Sequence, residues 1–421
     1  MGVLGPTAAA VGRRRAQVWA PLGVGALGRV AIRLARRMQR LGTEGAFEVL
    51  ARARGLEAEG RQILHLEIGE PDFPTPDNIS EVAIEAIRSG ATHYTPAAGL
   101  LAAREAVARS VGQRQGREVA PDEVVLTPGS KFVVLYALMA VLEPGDEVIV
   151  PDPGYPAYAS QVSFLGGRPV PVRLREEDGF RLDLEQLAGL IGPRTRALVL
   201  NSPHNPTGGV LTGSDLETIA ALAMEHDLIV ITDEIYSHLL YEGRHQSIMS
   251  LPGMAERTVL MDGLSKTYAM CGWRLGYAVA PTLLAEQIER LMINTASCAA
   301  TFTQIAAIEA LGTESSALAV ERMVAAFRAR RALMVEGLNA MPGVRCANPA
   351  GAFYVFPNIE ATGRDERDLA EELLVEAGVA VLPGTAFGGA GKGFLRLAYT
   401  QREEDLKLAL ERMGNHLASR R

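Results

Sequence analysis

Leu228-Ile229-Val230-Ile231-Thr232-Asp233-Glu234-Ile235-Tyr236 is the stretch on which the fold turns. It opens as an unbroken apolar run rich in β-branched side chains, which reads as a strand buried on both faces, as in a parallel sheet covered by helices. An acid and a phenol follow at once, at the end of the strand where open α/β sheets bind their ligands. Working outward, short β-rich runs alternate with longer amphipathic ones, the pattern of α/β architecture. Glu123 to Thr127 and Glu147 to Val150 read as strands on either side of a helix from Ser130 to Leu142. Further strands are expected near Arg168 to Leu174, Ala197 to Leu200, Thr258 to Met261 and Gly276 to Ala280. From about Ser315 the pattern changes to a long charged helix through Leu338, then to a compact mix that ends in a helix from Glu403 to His416. The predicted fold class is α/β: a three-layer large domain on a mostly parallel sheet, residues 71–314, with a smaller α+β domain from residues 31–70 and 315–421.

Two more runs bring chemistry to the same sheet edge. Asn201-Ser202-Pro203-His204-Asn205-Pro206-Thr207-Gly208-Gly209 follows the buried strand ending at Leu200, and its prolines and glycines force a sharp turn. Gly263-Leu264-Ser265-Lys266-Thr267-Tyr268-Ala269-Met270-Cys271-Gly272-Trp273-Arg274 sets an amine between a hydroxyl and a guanidinium. Such an amine can form a Schiff base with an aldehyde while Ser265 and Arg274 hold an anion, the arginine through its fork of donors. That combination points to pyridoxal 5'-phosphate. Asp233 can keep a pyridine nitrogen protonated, so that the ring works as an electron sink. Asn205, with Tyr236 beside it, can donate to the phenolic oxygen. Gly129 permits close backbone approach, and the amides that open the helix after Ser130 offer a phosphate site.

On these runs the chain resembles the fold-type I, pyridoxal phosphate-dependent aminotransferases of class I/II, the aspartate aminotransferase-like group. The resemblance extends from about Leu34 to about Leu410. It is carried by Asn205-Pro206-Thr207-Gly208 and by Ser265-Lys266 followed by Gly272 and Arg274. Gly69-Glu70-Pro71-Asp72-Phe73, Tyr94-Thr95-Pro96-Ala97-Ala98-Gly99, Pro128-Gly129-Ser130-Lys131, Pro153-Gly154-Tyr155-Pro156 and Arg396-Leu397-Ala398-Tyr399 add to it. The resemblance implies the fold of that group and ping-pong transfer of an amino group from an L-amino acid to a 2-oxo acid. It makes Lys266 both anchor and base, with Asp233 and Tyr236 as its catalytic partners. Tyr155 would stack on the cofactor; Gly129, Ser130, Ser265 and Arg274 would hold its phosphate. Arg396 would grip the substrate α-carboxylate, with Gly69 and Asn205 nearby. Tyr94 would reach the phosphate of a neighbouring subunit, implying a homodimer with shared sites. Lys131 could lean toward the phosphate, toward an acidic substrate side chain, or into solvent. Gly263 departs from the serine of many relatives, from which weaker cofactor retention is expected. The same scaffold also supports lyase and cyclase chemistry, which is the alternative reading. Side-chain selectivity is expected to come from the N-terminal segment, from near Lys131 and from Gly351-Ala352-Phe353-Tyr354, with acidic, aromatic and small aliphatic substrates all open.

Composition narrows the rest. The 421 residues carry 42 Lys plus Arg against 49 Asp plus Glu, a net charge of −7, which argues against nucleic acid as a partner. Three scattered cysteines, Cys271, Cys298 and Cys346, predict neither a disulfide framework nor a metal site, and a reducing cytoplasm is the expected location. No apolar run approaches the roughly 20 residues that a membrane helix requires. The first 30 or so residues read as a disordered extension, or as sequence upstream of the true start, before a first helix near Ile32 to Arg40. Gly23-Val24-Gly25-Ala26-Leu27-Gly28 imitates a dinucleotide fingerprint but follows a poor strand interrupted by Pro21. Gly388-Gly389-Ala390-Gly391-Lys392-Gly393 reads as an exposed flexible loop before a strand from Phe394 to Leu397.

Overall fold

A computed structural model describes residues 32–419; the expected N-terminal extension and the Gly23–Gly28 run lie outside the described residues. The first strand, β1 (Leu64–His65), belongs to a small sheet, and the next eight build the large one. These are β2 (Val124–Thr127), β3 (Glu147–Asp152), β4 (Arg168–Arg175), β5 (Arg181–Leu182), β6 (Thr195–Asn201), β7 (Ile229–Asp233), β8 (Thr258–Gly263) and β9 (Gly276–Val279). Their spatial order is β2-β9-β8-β7-β6-β3-β4-β5. The pairs from β4 through β8 are parallel, while β9 runs against both its neighbours and β5 against β4. The sheet is therefore mixed and mostly parallel, as the sequence pattern requires.

Strand alternation explains the three layers. Successive side chains of a strand point to opposite faces. Val148, Val150, Val199 and Ile231 join one apolar cluster with Val133, Val134 and Leu138 of the helix Lys131–Val141. Their neighbours Ile149, Leu198, Leu200 and Val230 join another with Leu216, Ile219, Ala220 and Ala223 of the helix Gly213–Glu225. Both faces being covered, the central strands must be apolar throughout. Only β4, one strand from the edge, alternates buried Val170, Val172 and Leu174 with exposed Arg168, Pro171 and Arg173. Thr212 fixes the start of the second helix: its hydroxyl accepts from the Asp215 amide at 3.2 Å while the Asp215 carboxylate accepts from the Thr212 amide at 2.8 Å.

The remaining strands are β10 (Tyr354–Val355), β11 (Val379–Ala380), β12 (Leu382–Pro383) and β13 (Leu395–Ala398). β11 pairs in parallel with β1, and β13 lies between β10 and β12, antiparallel to both. The long helix spans Glu314–Asn339 and the last one Glu403–Ser419.

Two expectations are corrected. No α-helix forms over Ile32 to Arg40: a single 3-10 turn, Arg36–Arg40, buries none of its residues, and the first α-helix is Gly45–Ala58. With no surface to cover, a run of arginines has nothing to stabilise a longer helix. The Gly388–Gly393 run is packed, not free. Its Ala390 amide donates to Asp152 Oδ1 at 3.0 Å at the end of β3, and Gly391 is buried. A Cβ on Gly391 would lie 2.0 Å from the Gly384 carbonyl, so these glycines serve close approach.

Candidate active site

The C-terminal ends of β6 and β7 and the turn after β8 open into a cleft of about 550 Å³. Gly69, Ser130, Lys131, Tyr155, Asn205, Asp233, Tyr236, Ser265, Lys266, Arg274 and Arg396 all line it. Gly129 stands directly behind Arg274: its φ is +100° and a Cβ there would lie 2.2 Å from the Arg274 Nη2. Tyr94 is the exception, 86% exposed and outside the cleft.

Asp233 closes β7 and is only 4% exposed. Burial pushes its carboxyl up to about 7, with Asp262 and Glu234 adding to the effect. The opposing hydrogen bonds, from the Tyr158 hydroxyl at 2.5 Å and the Ile235 amide at 3.1 Å, do not cancel it. A cation in the cleft would favour the carboxylate. The turn after β6 is tied to this strand by Asn201, whose Nδ2 donates to the Asp233 carbonyl at 3.1 Å and whose Oδ1 accepts from the Asn205 amide at 2.9 Å. Asn205 Oδ1 is buried without a hydrogen-bond partner among the described residues. His204 turns away, its Nδ1 2.8 Å from the Thr207 hydroxyl, and burial holds it neutral by pushing its pKa down to about 3.

Lys266 donates from Nζ to the Gly69 carbonyl at 2.6 Å and lies 3.8 Å from Cys271 Sγ. Gly69 must be glycine, because a Cβ would fall 1.9 Å from Tyr354 Oη. Tyr354 Oη in turn meets Tyr236 Oη at 2.8 Å. Arg396 comes from the middle of β13 and is 4% exposed. Its guanidinium lies 4.7 Å from the Tyr354 ring centroid and 5.1 Å from that of Phe387, and it donates to the Glu67 carbonyl. Its Nε is buried without a partner, and it forms no ion pair among the described residues. Burial accordingly lowers its pKa. A buried cation without an anion is costly, so this geometry is built for an anionic ligand.

Gly263 has a physical reason. A Cβ there would lie 2.5 Å from Ser130 Oγ and 3.0 Å from the Gly276 Cα, and Ser130 already donates across that space to the Asp262 carbonyl at 3.0 Å. Gly263→Ser is therefore expected to loosen cofactor binding by several-fold, not tighten it, as overpacking displaces Ser130. Equilibrium dialysis of the cofactor measures this. The Lys131 ammonium pairs with the Glu44 carboxylate.

Sequence reasoning missed Glu44, Asn201, Tyr158 and Cys271 as cleft residues. Tyr158 lies three positions beyond Tyr155, at the start of the helix Ala157–Leu165, a proximity in the chain that could have flagged it. Glu44 gave no such signal.

A family model, aminotransferase class I and II, matches residues 61–413. The chain belongs to that family. It is similar to an aromatic-amino-acid aminotransferase of Thermococcus litoralis, 44% identical over 88% of this chain and 94% of the relative. Among solved structures, an aromatic aminotransferase from Pyrococcus horikoshii superposes with a TM-score of 0.84 at 46% identity, covering 88% of this chain and 99% of that one. The aspartate aminotransferase of Thermus thermophilus, solved with maleate, superposes with a TM-score of 0.88 at 42% identity over 91% and 99%. This aminotransferase is an enzyme that transfers amino groups, its cofactor is pyridoxal 5'-phosphate, and lyase or cyclase chemistry is not favoured. The cleft fits that group: a lysine amine, a buried acid and a guanidinium packed against a glycine face one space. Among the described residues no cluster of His, Cys, Asp and Glu could hold a metal ion, and no helix is long and apolar enough to cross a membrane.

Proposed function

We propose that this cleft is where an L-amino acid and a 2-oxo acid exchange their amino group, and that Arg396 selects both by their shared α-carboxylate. The observation that carries this reading is the buried guanidinium of Arg396, without an ion-pair partner among the described residues, facing the same space as Lys266 and Asp233. When bound, pyridoxal phosphate supplies an aldehyde that takes an amine covalently and a ring that draws electrons from the substrate α-carbon. Lys266 Nζ anchors it and carries the α-proton, a role that its place at the cleft wall supports. Asp233 ionises against the ring nitrogen, Asn205 and Tyr236 donate to the phenolic oxygen, and Tyr155 packs on the ring face. Gly129, Ser130, Ser265 and Arg274 hold the phosphate. Tyr94, exposed on this subunit, serves a second copy, which makes the working unit a homodimer with shared sites. We place the enzyme in the cytoplasm, in amino-acid biosynthesis, and divide it into a large domain over residues 71–314 and a small one from residues 31–70 and 315–421.

Arg396→Ala tests the reading. Removing one side of a buried charged contact costs about 2–5 kcal/mol, so KM should rise roughly 30-fold to several thousandfold. The rise should be alike for every amino acid and 2-oxo acid, and Arg396→Lys should recover part of it. An unchanged KM for any reactive substrate sinks the assignment.

A further inference from the structure

Family membership does not choose the side chain that this enzyme accepts, since its relatives are named for aromatic amino acids and for aspartate. The cleft holds a feature that does. Lys131, first residue of the helix Lys131–Val141, points its ammonium at Glu44, and the two form an ion pair. The same Glu44 oxygen, Oε1, accepts from the Tyr155 hydroxyl at 3.1 Å, and the Lys131 ammonium lies 5.5 Å from the centroid of the Tyr155 ring. Cation, phenol and carboxylate thus close on one another at the wall of the cleft. Glu44 arrives from 87 positions away in the chain, immediately before the helix Gly45–Ala58, and its neighbours Ala46 and Phe47 line the same space.

We propose that Glu44 stands where a substrate's side-chain carboxylate would bind and, by occupying Lys131, sets the enzyme for amino acids with neutral, apolar side chains. This rests on the reading of the cleft given above, with Arg274 committed to phosphate and Arg396 to the α-carboxylate. A second carboxylate on the substrate then finds Lys131 as the remaining cation among the described residues of the cleft wall, and Lys131 already has an anion. To bind there it must displace Glu44 or sit beside it, and like charges in a partly buried site repel. A neutral side chain meets no such conflict. It lies against a charge-balanced pair and against Ala46, Phe47 and Ile68, of which Phe47 is 60% exposed and offers apolar surface for a substrate to cover. A cationic side chain would gain Glu44 but face Lys131, so the pair disfavours it as well.

The test uses the cofactor-loaded enzyme and unreactive acids, with calorimetry as readout: maleate as the dicarboxylate, 3-phenylpropanoate as the neutral monocarboxylate and 4-guanidinobutanoate as the cationic one. The wild type should bind 3-phenylpropanoate about tenfold more tightly than maleate or more. Glu44→Gln keeps the shape but releases Lys131, and should shift that ratio toward maleate by about tenfold or more. Adding Lys131→Gln to Glu44→Gln should cancel the shift, which a merely structural effect of the first change would not produce. Half-reaction rates with phenylalanine and aspartate, followed by the visible band of the cofactor, should move in the same direction. Wild-type preference for maleate, or a ratio indifferent to Glu44→Gln, overturns the proposal; so does tightest binding of 4-guanidinobutanoate that weakens in Glu44→Gln. If instead no amino acid converts the cofactor at all, the proposed function fails before the selectivity question arises.

Discussion

Lys266→Ala is expected to abolish amino transfer with every amino acid and to leave no pyridoxyl-peptide after borohydride reduction and peptide mapping. The size of the effect follows from two losses at one atom. On the proposed reading Nζ is both the covalent attachment point and the group that moves the α-proton, and proton transfer by a positioned side chain alone contributes about 10²–10⁴-fold. Turnover should therefore fall by about 10⁴-fold or more, to the limit of detection. Lys266→Arg should be equally inactive even though it preserves the positive charge, because a guanidinium does not give up its proton in a protein. A structural explanation predicts something different. The bonds of the lysine are to the Gly69 carbonyl and the Cys271 thiol, and it is only partly buried, so the fold has little invested in it. Both variants should melt close to the wild type. Should the adduct map to another lysine, Lys131 in the cleft being the nearest rival, the whole assignment of roles moves with it.

What the chain disclosed in one dimension was what depends on local pattern. β7 and the acid at its end were legible because a strand covered on both faces has to be apolar throughout, and a charge at its exit has to have a reason. The turn at Asn205 is legible because its prolines and glycines fix backbone shape locally, and Arg274 because a guanidinium following a hydroxyl and an amine suits an anion. The juxtapositions that set the environment of those groups were not. Tyr158 reaches Asp233 across 75 positions and Glu44 reaches Lys131 across 87, and no periodicity encodes either meeting. In sequence Gly263 shows only an absent hydroxyl, while in three dimensions Ser130 fills the space beside it from a different strand junction. The glycines near 390 looked like slack and are instead contact points, since a missing side chain looks the same in sequence whether it confers freedom or proximity.

Asp233→Asn should separate function from stability by moving them in opposite directions. Activity is expected to fall about a hundredfold or more, because on the proposed reading Asp233 supplies, preorganised in a buried site, the charge that would complement the ring nitrogen. In the cofactor-free protein the same carboxyl is a liability. Burial raises it from an ordinary 3.8 to about 7, so the folded state binds this proton more tightly than the unfolded chain does. The contribution to stability is full below about pH 3.8 and is lost as pH rises toward 7. A gap of about three pH units corresponds to a cost of about 4 kcal/mol at pH 8. The asparagine carries no such charge, though with one oxygen it gives up a hydrogen bond from Tyr158 or Ile235, worth about 1 kcal/mol. The apo variant should thus melt above the apo wild type at pH 8, with the advantage shrinking or vanishing by pH 5. Saturating pyridoxal phosphate should reverse the order, because it brings the cation that Asp233 lacks and the amide cannot use. Thermal melts of both proteins at the two pH values, with and without cofactor, decide the matter. An apo variant less stable than the wild type at pH 8 would mean that Tyr158 and Ile235 already satisfy the charge, and that the acid is held there by the fold and not for the ligand.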